Sequence, residues 1–400
     1  MAEKIHHALV LNLHQPSGNL EYLLDNNEWE AKEILWALDR MPRELWGYED
    51  VGRVHLSMSG TLLETLANPA FQQRVYGIAK VGDILWHLQN TKLFDILGTG
   101  YYHPVLPLTP RADWDEHLER WQALARHLFW RSSFQGFWPP EMGFCMEMIP
   151  ALKKMGYRYV LVDSKHVEPL SGTISWEELR YRPHLARFGD DEITVVVRDR
   201  ELSDAQESGM DYGWFAQEVN QRCQFCNFVP LVTTATDGDN GGWFRNTALK
   251  GNFWQVFYHE LLDKVRSKES NISPMYIHDY LDQYGASGYV TVKTGAWNTG
   301  WHHGEGFLQW TGSQTQKDGL ARVQAVSDAL HALFVKAGPA PESETARNDL
   351  HEAHWRLLRA ETSCNFFWGE AWVNRAHEDL DVVVAKIAAI EQALKTTKPA

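Results

Sequence analysis

The stretch "ALKKMGYRYVLVD" (Ala151–Asp163) contains the end of one secondary-structure element and most of the next. Gly156 follows "ALKKM" in the position of a glycine that ends a helix, where the left-handed backbone conformation suits glycine. The residues after it, "YRYVLVD", are rich in β-branched and aromatic side chains and predict a strand. A helix that passes directly into a strand is typical of an α/β protein with a parallel sheet.

Six further runs of this kind lie on both sides of the stretch, separated by longer segments with helical spacing. They are "ALVLNL" (Ala8–Leu13), "RVHLSM" (Arg53–Met58), "DILGTG" (Asp95–Gly100), "GFW" (Gly136–Trp138), "ITVVVRD" (Ile193–Asp199) and "FVPLVTTATD" (Phe228–Asp237). Because Pro230 cannot donate to a ladder, we expect the last strand to begin only at Leu231. Seven strands that alternate with helices predict a (β/α)7 barrel.

Helical periodicity fills a segment inside the predicted barrel and most of the chain after about Tyr289, where strand signals stop. Inside the barrel it is carried by Trp114, Leu118, Trp121, Ala125 and Leu128. Later stripes comprise Leu320, Val323, Leu330 and Leu333, and then Leu380, Val384, Ile387, Ile390 and Leu394. We predict two domains, a catalytic barrel over residues 1–288 and a C-terminal helical bundle over residues 289–400 that contributes loops and aromatic side chains to the cleft.

Composition limits the partners that this chain can have. A net charge of -14 over 400 residues offers no basic face for a nucleic-acid backbone. The opening "MAEKIHHALVLNLHQP" lacks the apolar core of a secretory signal, and no apolar run is long enough for a membrane span. We expect a cytoplasmic protein with neither a nucleic-acid nor a membrane partner. Cys223 and Cys226 form a single C-x-x-C, without the second pair of a structural zinc site.

The active site of a parallel barrel lies at the carboxyl ends of its strands, so the residues after each strand are the first to inspect. They are His14, Gln15, Tyr101, Tyr102, His103, Glu141, Asp163, His166, Arg198, Asp199, Asp237 and Asp239. Glu141 and Asp237 lie in stiff or glycine-bounded turns, "GFWPPEMGF" and "TDGDNGGWF", beside aromatic residues. Two carboxylates in such surroundings suggest glycoside chemistry. Their spacing alone does not assign the two roles.

Five motifs occur along the chain in a characteristic order. They are "NLHQP" (Asn12–Pro16), "GTGYYHPVLPL" (Gly98–Leu108), "GFWPPEMGF" (Gly136–Phe144), "TDGDNGGWF" (Thr236–Phe244) and "SCNFFWG" (Ser363–Gly369). In these motifs the chain resembles glycoside hydrolase family 57 over nearly its whole length. The resemblance implies a seven-fold barrel followed by a helical domain, and a retaining enzyme for α-linked glucans of the α-amylase or 4-α-glucanotransferase type. Glu141 falls on the family's nucleophile and Asp237 on its general acid/base. We expect no cofactor and no metal.

These roles carry physical requirements. The nucleophile must be ionised, so Glu141 should find donors such as His14 or Arg198. Asp237 should be kept partly protonated by Glu141 and by low polarity. Direct attack requires the two carboxyl groups to lie about 5 to 5.5 Å apart.

Sugar-binding side chains should come from the motifs and from a loop rich in glycine and aromatic residues, "GAWNTGWHHGEGFLQWTG" (Gly295–Gly312). The predicted set is His14, Gln15, His103, Trp138, Asp239, Trp243, Trp301, Trp310 and Trp368. The chain departs from the family pattern at Asn12, where members often have histidine, and at Asp239, where many have glutamate.

Other interpretations stay open at this point. Within the family, the chain is also compatible with an α-galactosidase or a branching enzyme, and sequence does not separate hydrolysis from transfer. A metal-dependent polysaccharide deacetylase would need ligands such as His14, His103 and Asp163. Against that reading, the histidines of "HEAHW" (His351–Trp355) are only three apart, unlike those of the H-E-x-x-H zinc pattern. A non-catalytic glycan-binding protein is disfavoured, because both expected carboxylates are present.

Overall fold

The centre of the protein is a barrel of parallel strands, seen in a computed structural model that describes residues 4–239, 244–245, 251–297, 299, 306–337 and 344–396. The strands of the described chain are β1 (Ile5–Leu13), β2 (Val54–Met58), β3 (Phe94–Leu97), β4 (Gly136–Phe137), β5 (Tyr159–Asp163), β6 (Val167–Pro169), β7 (His184–Phe188), β8 (Asp191–Arg198), β9 (Leu231–Asp237), β10 (Ile272–Pro274) and β11 (Val290–Val292). Seven of them follow one another around the barrel in the order β3-β2-β1-β9-β8-β5-β4. A parallel bridge between Gly98 and Phe137 connects the two ends of this row.

All seven predicted barrel strands are confirmed, and β9 begins at Leu231, directly after Pro230. β1 lies in the middle of the row, and each of its nine residues is buried. Burial of both strand faces is expected for a barrel whose inside is filled and whose outside is covered by helices. The register places Asn12 opposite Asp237 on β9 and Leu13 opposite Met58 on β2. The carboxyl ends of these strands therefore lie at one level.

Helices cover the outside of the barrel. They are α1 (Asn19–Asn26), α2 (Glu28–Glu44), α3 (Gly60–Ala67), α4 (Pro69–Val75), α5 (Val81–Asn90), α6 (Arg111–Phe129), α7 (Ile149–Lys154), α8 (Trp176–Tyr181), α9 (Arg200–Glu207), α10 (Tyr212–Arg222), α11 (Glu260–Arg266), which continues a π-helical turn over Trp254–His259, and α12 (Ile277–Tyr284). The helix predicted from Trp114 to Leu128 is confirmed by α6, whose apolar residues face the barrel core. Gly156 has a φ of 84° after α7, as a helix-ending glycine requires.

The C-terminal part is helical and has its own hydrophobic cluster. Its helices are α13 (Leu308–Thr311), α14 (Gln314–Ala337), α15 (Glu344–Ala360), α16 (Cys364–Phe367) and α17 (Glu370–Thr396). Two expectations for this part were wrong. Val384 is 47% exposed while Val383 is buried, and strand structure continues past Tyr289, because β11 pairs antiparallel with β6. The division at residue 288 stays a prediction.

No helix in the described ranges combines the length and the apolar character that a membrane span requires.

Candidate active site

The turn that carries Glu141 has a rarely populated backbone conformation. Glu141 and Met142 have φ values of 56° and 51°, in the left-handed region that costs non-glycine residues about 1–3 kcal/mol each. Pro139 and Pro140 precede the turn with fixed φ angles. The peptide N–H of Trp297 donates to the carbonyl oxygen of Glu141 at 3.1 Å. The surrounding structure thus holds the carboxylate at the end of β4 in one orientation.

Among the described residues, two side chains donate hydrogen bonds to the Glu141 carboxylate. Ser363 Oγ donates to Oε1 at 2.9 Å, and Trp297 Nε1 donates to Oε2 at 3.1 Å. His103 Nδ1 lies 3.6 Å from Oε1. Burial lowers the pKa of His103 to about 3, so this imidazole is neutral. Hydrogen bonds therefore fix the Glu141 carboxylate, and the neutral His103 places no positive charge beside it.

The predicted donors to Glu141 were wrong. Arg198 is buried and pairs instead with Asp163 and Asp204, each at 2.9 Å. His14 stacks on His103 with ring centroids 4.0 Å apart, and its Nε2 lies 3.5 Å from Cys364 Sγ. Burial holds the pKa of His14 well below its usual value, so it too is neutral. Trp297 and Ser363, which donate instead, lie in segments that follow the barrel strands in the chain. Examining only the residues at the strand ends therefore does not find them.

Asp237 lies at the end of β9 and accepts a hydrogen bond from Asn12 Nδ2 at 2.9 Å. This contact follows from the register, because Asn12 and Asp237 are paired positions on adjacent strands. Asn12 was noted as a departure from the family motif, and the structure shows that its amide contacts this carboxylate. The charge of Asp237 contributes to the raised pKa of Glu141, so the two carboxylates interact electrostatically. Their predicted spacing of about 5 to 5.5 Å stays a prediction.

Both carboxylates line a cavity of about 420 Å³ at the carboxyl ends of the strands. Its wall consists of Asn12, His14, Gln15, Pro16, Asn19, Leu23, Glu30, Ile34, His103, Glu141, Asp237, Arg245, Trp297, Cys364, Phe367, Trp368 and Trp372. A second cavity of about 640 Å³ shares Asp237 and Trp297 with the first. Asp237 therefore stands where two cavities meet, which gives a substrate room on both sides of the acid.

Four of the predicted binding residues line the first cavity, namely His14, Gln15, His103 and Trp368. The indole of Trp368 is 58% exposed, so a flat apolar face is available to a sugar ring. Trp243 and Trp301 lie outside the described residues.

Three other predicted residues lie behind the wall, which corrects the expectation that they contact the sugar. Trp138 is fully buried and packs edge-to-face on Trp297, with ring centroids 5.6 Å apart. Trp310 is 1% exposed and belongs to the core of the helical part. Asp239 is also 1% exposed and accepts a hydrogen bond from Gln15 Nε2 at 2.9 Å. Trp138 and Asp239 thus support residues of the wall.

Several residues of the wall, and one donor to Glu141, are absent from the set predicted from sequence. Trp297 belongs to the loop that was expected to cover the sugar cleft, and it does line the cavity, but its contact with Glu141 was not predicted. Ser363 belongs to the last motif, and nothing in its spacing indicated that it contacts Glu141. Phe367 lies in the same motif as Trp368, and Trp372 lies in the first turn of α17, which follows that motif. A short motif that is dense in aromatic residues was the available signal.

The metal-site alternative built on His14, His103 and Asp163 lacks a usable carboxylate. Asp163 Oδ2 accepts from Arg198 at 2.9 Å and Oδ1 accepts from Arg200 at 2.8 Å. Within the described part of the chain, these three residues do not form a group that converges on a metal ion.

Glu141 titrates near neutrality, whereas its predicted role as nucleophile requires an ionised carboxylate. Burial, and then the charge of Asp237, raise the pKa of Glu141 to about 7. In two interacting carboxyl groups such a value belongs to the pair, so the pair holds one proton below about pH 7 and loses it above. Burial and the Asp237 charge also raise the pKa of Asp239 to about 7.

This titration predicts a pH profile. Glycoside cleavage needs one protonated and one ionised carboxyl group, so we expect kcat/KM to fall as the pH rises through about 7. Initial rates measured across the neutral and alkaline range would test this. A flat profile far into the alkaline range would contradict it. An alkaline limb that disappears in Asp239→Asn would assign the proton to Asp239 and not to the pair.

The chain is similar to known proteins in sequence and in fold. The family model described as glycosyl hydrolase family 57 matches residues 6–293. The chain is 25% identical over 308 residues to an α-amylase of Pyrococcus furiosus, covering 72% of this chain and 41% of that protein. It is 24% identical over 300 residues to a 4-α-glucanotransferase of Thermococcus kodakarensis, covering 72% of this chain and 40% of that protein.

The chain thus spans about two fifths of the length of these curated relatives. A solved structure of a GH57 branching enzyme from Thermococcus kodakaraensis superposes with a TM-score of 0.72 at 14% identity, covering 96% of this chain and 89% of that one. This likeness concerns the fold. The match of the family model to most of the chain shows that the chain belongs to glycosyl hydrolase family 57.

Proposed function

We propose that this protein is a retaining glycoside hydrolase or transglycosylase that acts on α-linked glucans, with Glu141 as nucleophile and Asp237 as general acid/base. The observation that carries the proposal is the convergence of these two carboxylates on one cavity at the carboxyl ends of the barrel strands. A difference between their surroundings supports this assignment of roles. Both oxygens of Glu141 are held by donors, whereas Asp237 stands at the junction of two cavities.

The first step breaks the glycosidic bond. Asp237 gives its proton to the bridging oxygen, while a Glu141 oxygen attacks the anomeric carbon and forms a glycosyl ester. The hydrogen bonds from Ser363 and Trp297 hold the attacking group in place, which avoids the cost of orienting it during the reaction.

The second step releases the sugar. Formation of the ester removes the negative charge of Glu141, so the pKa of Asp237 falls and its carboxylate can accept a proton. Asp237 then deprotonates a water or a sugar hydroxyl, which attacks the anomeric carbon from the opposite face and frees Glu141. Two inversions give net retention. Water yields hydrolysis, and a sugar hydroxyl yields transfer.

The substrate class follows from the walls of the cavity and from the relatives. Phe367, Trp368 and Trp372 supply aromatic surface. Gln15 and Asn19 also line the cavity, hydrogen-bonded to each other through Asn19 Nδ2 and Gln15 Oε1, and each amide keeps hydrogen-bonding capacity for a hydroxyl group. Cavities of this size fall in the range of about 300–1,000 Å³ that is common for small-molecule sites. The α-amylase and 4-α-glucanotransferase names of the relatives favour α-1,4-linked glucans.

An NMR time course on defined sugars tests this function. The protein is incubated with maltooligosaccharides, with amylose and with an α-galactoside, and the anomeric signals of newly formed ends are followed before mutarotation. We expect the α-anomer to appear first from the glucans. Products longer than the substrate would indicate transfer, and only shorter ones hydrolysis. A β-anomer as first product, or no conversion of any glucan, would refute the proposal.

A further inference from the structure

A second cluster of reactive side chains lies where the barrel meets the helical part. Asp113 is in the first turn of α6, while His331 is on α14 and His354 is on α15. One ligand atom from each residue lies within 4.8 Å of the other two. Asp113 is fully buried, His354 is 14% exposed and His331 is 31% exposed. The cluster is therefore enclosed, with His331 on its open side.

Hydrogen bonds orient these side chains toward one another. Ser327 Oγ donates to Asp113 Oδ2 at 2.6 Å, and Oδ1 faces His331 Nε2 at 2.6 Å. The buried carboxyl group of Glu361 also hydrogen-bonds to Asp113. His354 Nδ1 lies 3.9 Å from a Glu116 carboxylate oxygen. Its Nε2 is buried and has no hydrogen-bond partner among the described residues. A histidine with a carboxylate behind one nitrogen and a free second nitrogen is arranged like a metal ligand.

We propose that Asp113, His331 and His354 bind a divalent transition-metal ion of the zinc type. Two imidazole nitrogens and one carboxylate oxygen are ligands that zinc prefers, and water can take the fourth position from the exposed side of His331. Zinc bonds of about 2.0–2.1 Å place tetrahedral ligand atoms about 3.3 Å apart. To reach this spacing, the His331–Asp113 contact of 2.6 Å must lengthen slightly, and the largest distance between two ligand atoms, at most 4.8 Å, must shorten. Rotation of the side chains can make both changes. The ion would replace the hydrogen bond between Asp113 and His331.

The consequence is structural, and the evidence for the ion does not depend on the proposed glycosidase activity. An ion at this position would tie α6 of the barrel to α14 and α15 of the helical part. Glu361, which is buried beside Asp113 and pairs with His117 at 2.8 Å, lies two residues before Ser363. Binding of the ion should therefore stabilise the segment that presents Ser363 to the active site.

A cobalt titration tests the site in the wild-type chain. The purified protein is freed of metal with a chelator and titrated with Co²⁺, whose visible absorption reports nitrogen and oxygen ligands in four-coordinate geometry. We expect one equivalent to bind with this absorption, zinc to displace it, and zinc to raise the midpoint of thermal unfolding by several degrees. Absence of the absorption, or an unfolding midpoint that zinc leaves unchanged, would overturn the proposal.

Variants locate the ion. His354→Ala should abolish the cobalt absorption and the stabilisation by zinc. His351→Ala, on the same helix, is the matched control and should keep both, because His351 contacts Trp355 outside the cluster. If His354→Ala does not fold, His331→Gln on the partly exposed side serves instead. Equal stabilisation of the wild type and the cluster variant by zinc would place the ion elsewhere and refute the assignment.

Discussion

Replacing Glu141 with glutamine should lower kcat on maltooligosaccharides by on the order of 10⁴-fold or more, because an amide cannot form the glycosyl ester. The substitution preserves the shape of the side chain, and Ser363 Oγ can still donate to the remaining carbonyl oxygen. Sugar binding should therefore persist. Steady-state rates together with calorimetric binding of a maltooligosaccharide measure the two effects separately.

The matched control is Glu147→Gln. Glu147 lies in the same segment, is partly exposed and pairs with Arg111 at 3.3 Å. We expect its kcat to equal that of the wild type, with an unchanged unfolding midpoint. Wild-type turnover in Glu141→Gln would remove Glu141 from the mechanism. Loss of both turnover and sugar binding would mean that the substitution damaged the site as a whole.

Azide identifies the face from which Glu141 acts. In Glu141→Ala the missing carboxylate leaves space for this small anion beside the anomeric carbon. With an activated aryl α-maltooligoside, azide should attack from the face that Glu141 used and give a β-glycosyl azide, with the phenolate as leaving group. An α-glycosyl azide from this variant would contradict the nucleophile assignment.

Replacing Asp237 with asparagine should lower kcat on maltooligosaccharides by about 10²- to 10⁴-fold, the usual contribution of a general acid. The loss should be much smaller for the first step on an aryl glycoside with an acidic phenol, because that leaving group needs no proton. Rapid-mixing kinetics with such a substrate should show a burst of phenol followed by slow turnover, since the base of the second step is also missing.

Azide also tests the role assigned to Asp237. In Asp237→Ala it should attack the glycosyl ester from the opposite face and give an α-glycosyl azide, the reverse of the outcome for Glu141→Ala. Asp282→Asn is the control, because Asp282 is exposed and pairs with Arg158 at 2.6 Å. An equal loss of rate for acidic and for poor leaving groups in Asp237→Asn would exclude Asp237 as the proton donor.

The barrel was predictable because its signals are local. Seven short apolar runs, one helix-ending glycine and one proline at a strand start are each decided by backbone conformation within a few residues. Pro230 marks the start of β9 for this reason, and Gly156 marks the end of α7. The shift from Val384 to Val383 in α17 shows the limit, because α17 packs against both α14 and α15 and buries residues outside a single stripe.

The contacts of the site were less predictable because they join distant segments. Trp297 and Ser363 reach Glu141 across 156 and 222 positions of the chain. Whether an aromatic side chain faces a cavity or packs behind it depends on such tertiary contacts. Trp138 and Trp368 belong to comparable aromatic motifs, yet one is buried and the other is more than half exposed. Their motifs predicted both tryptophans as sugar-binding residues and could not show which of them faces the cavity.

The match to the family model ends at residue 293, before Trp297 and Ser363. A barrel cut at that point would keep Glu141 and Asp237 and lose Trp297 and Ser363, the donors to Glu141 found in the described part of the chain. Exchange of C-terminal regions between relatives would then change the donors to Glu141, the proposed nucleophile, together with the aromatic wall formed by Phe367, Trp368 and Trp372. In such chimaeras, we expect substrate specificity and reaction rate to change together.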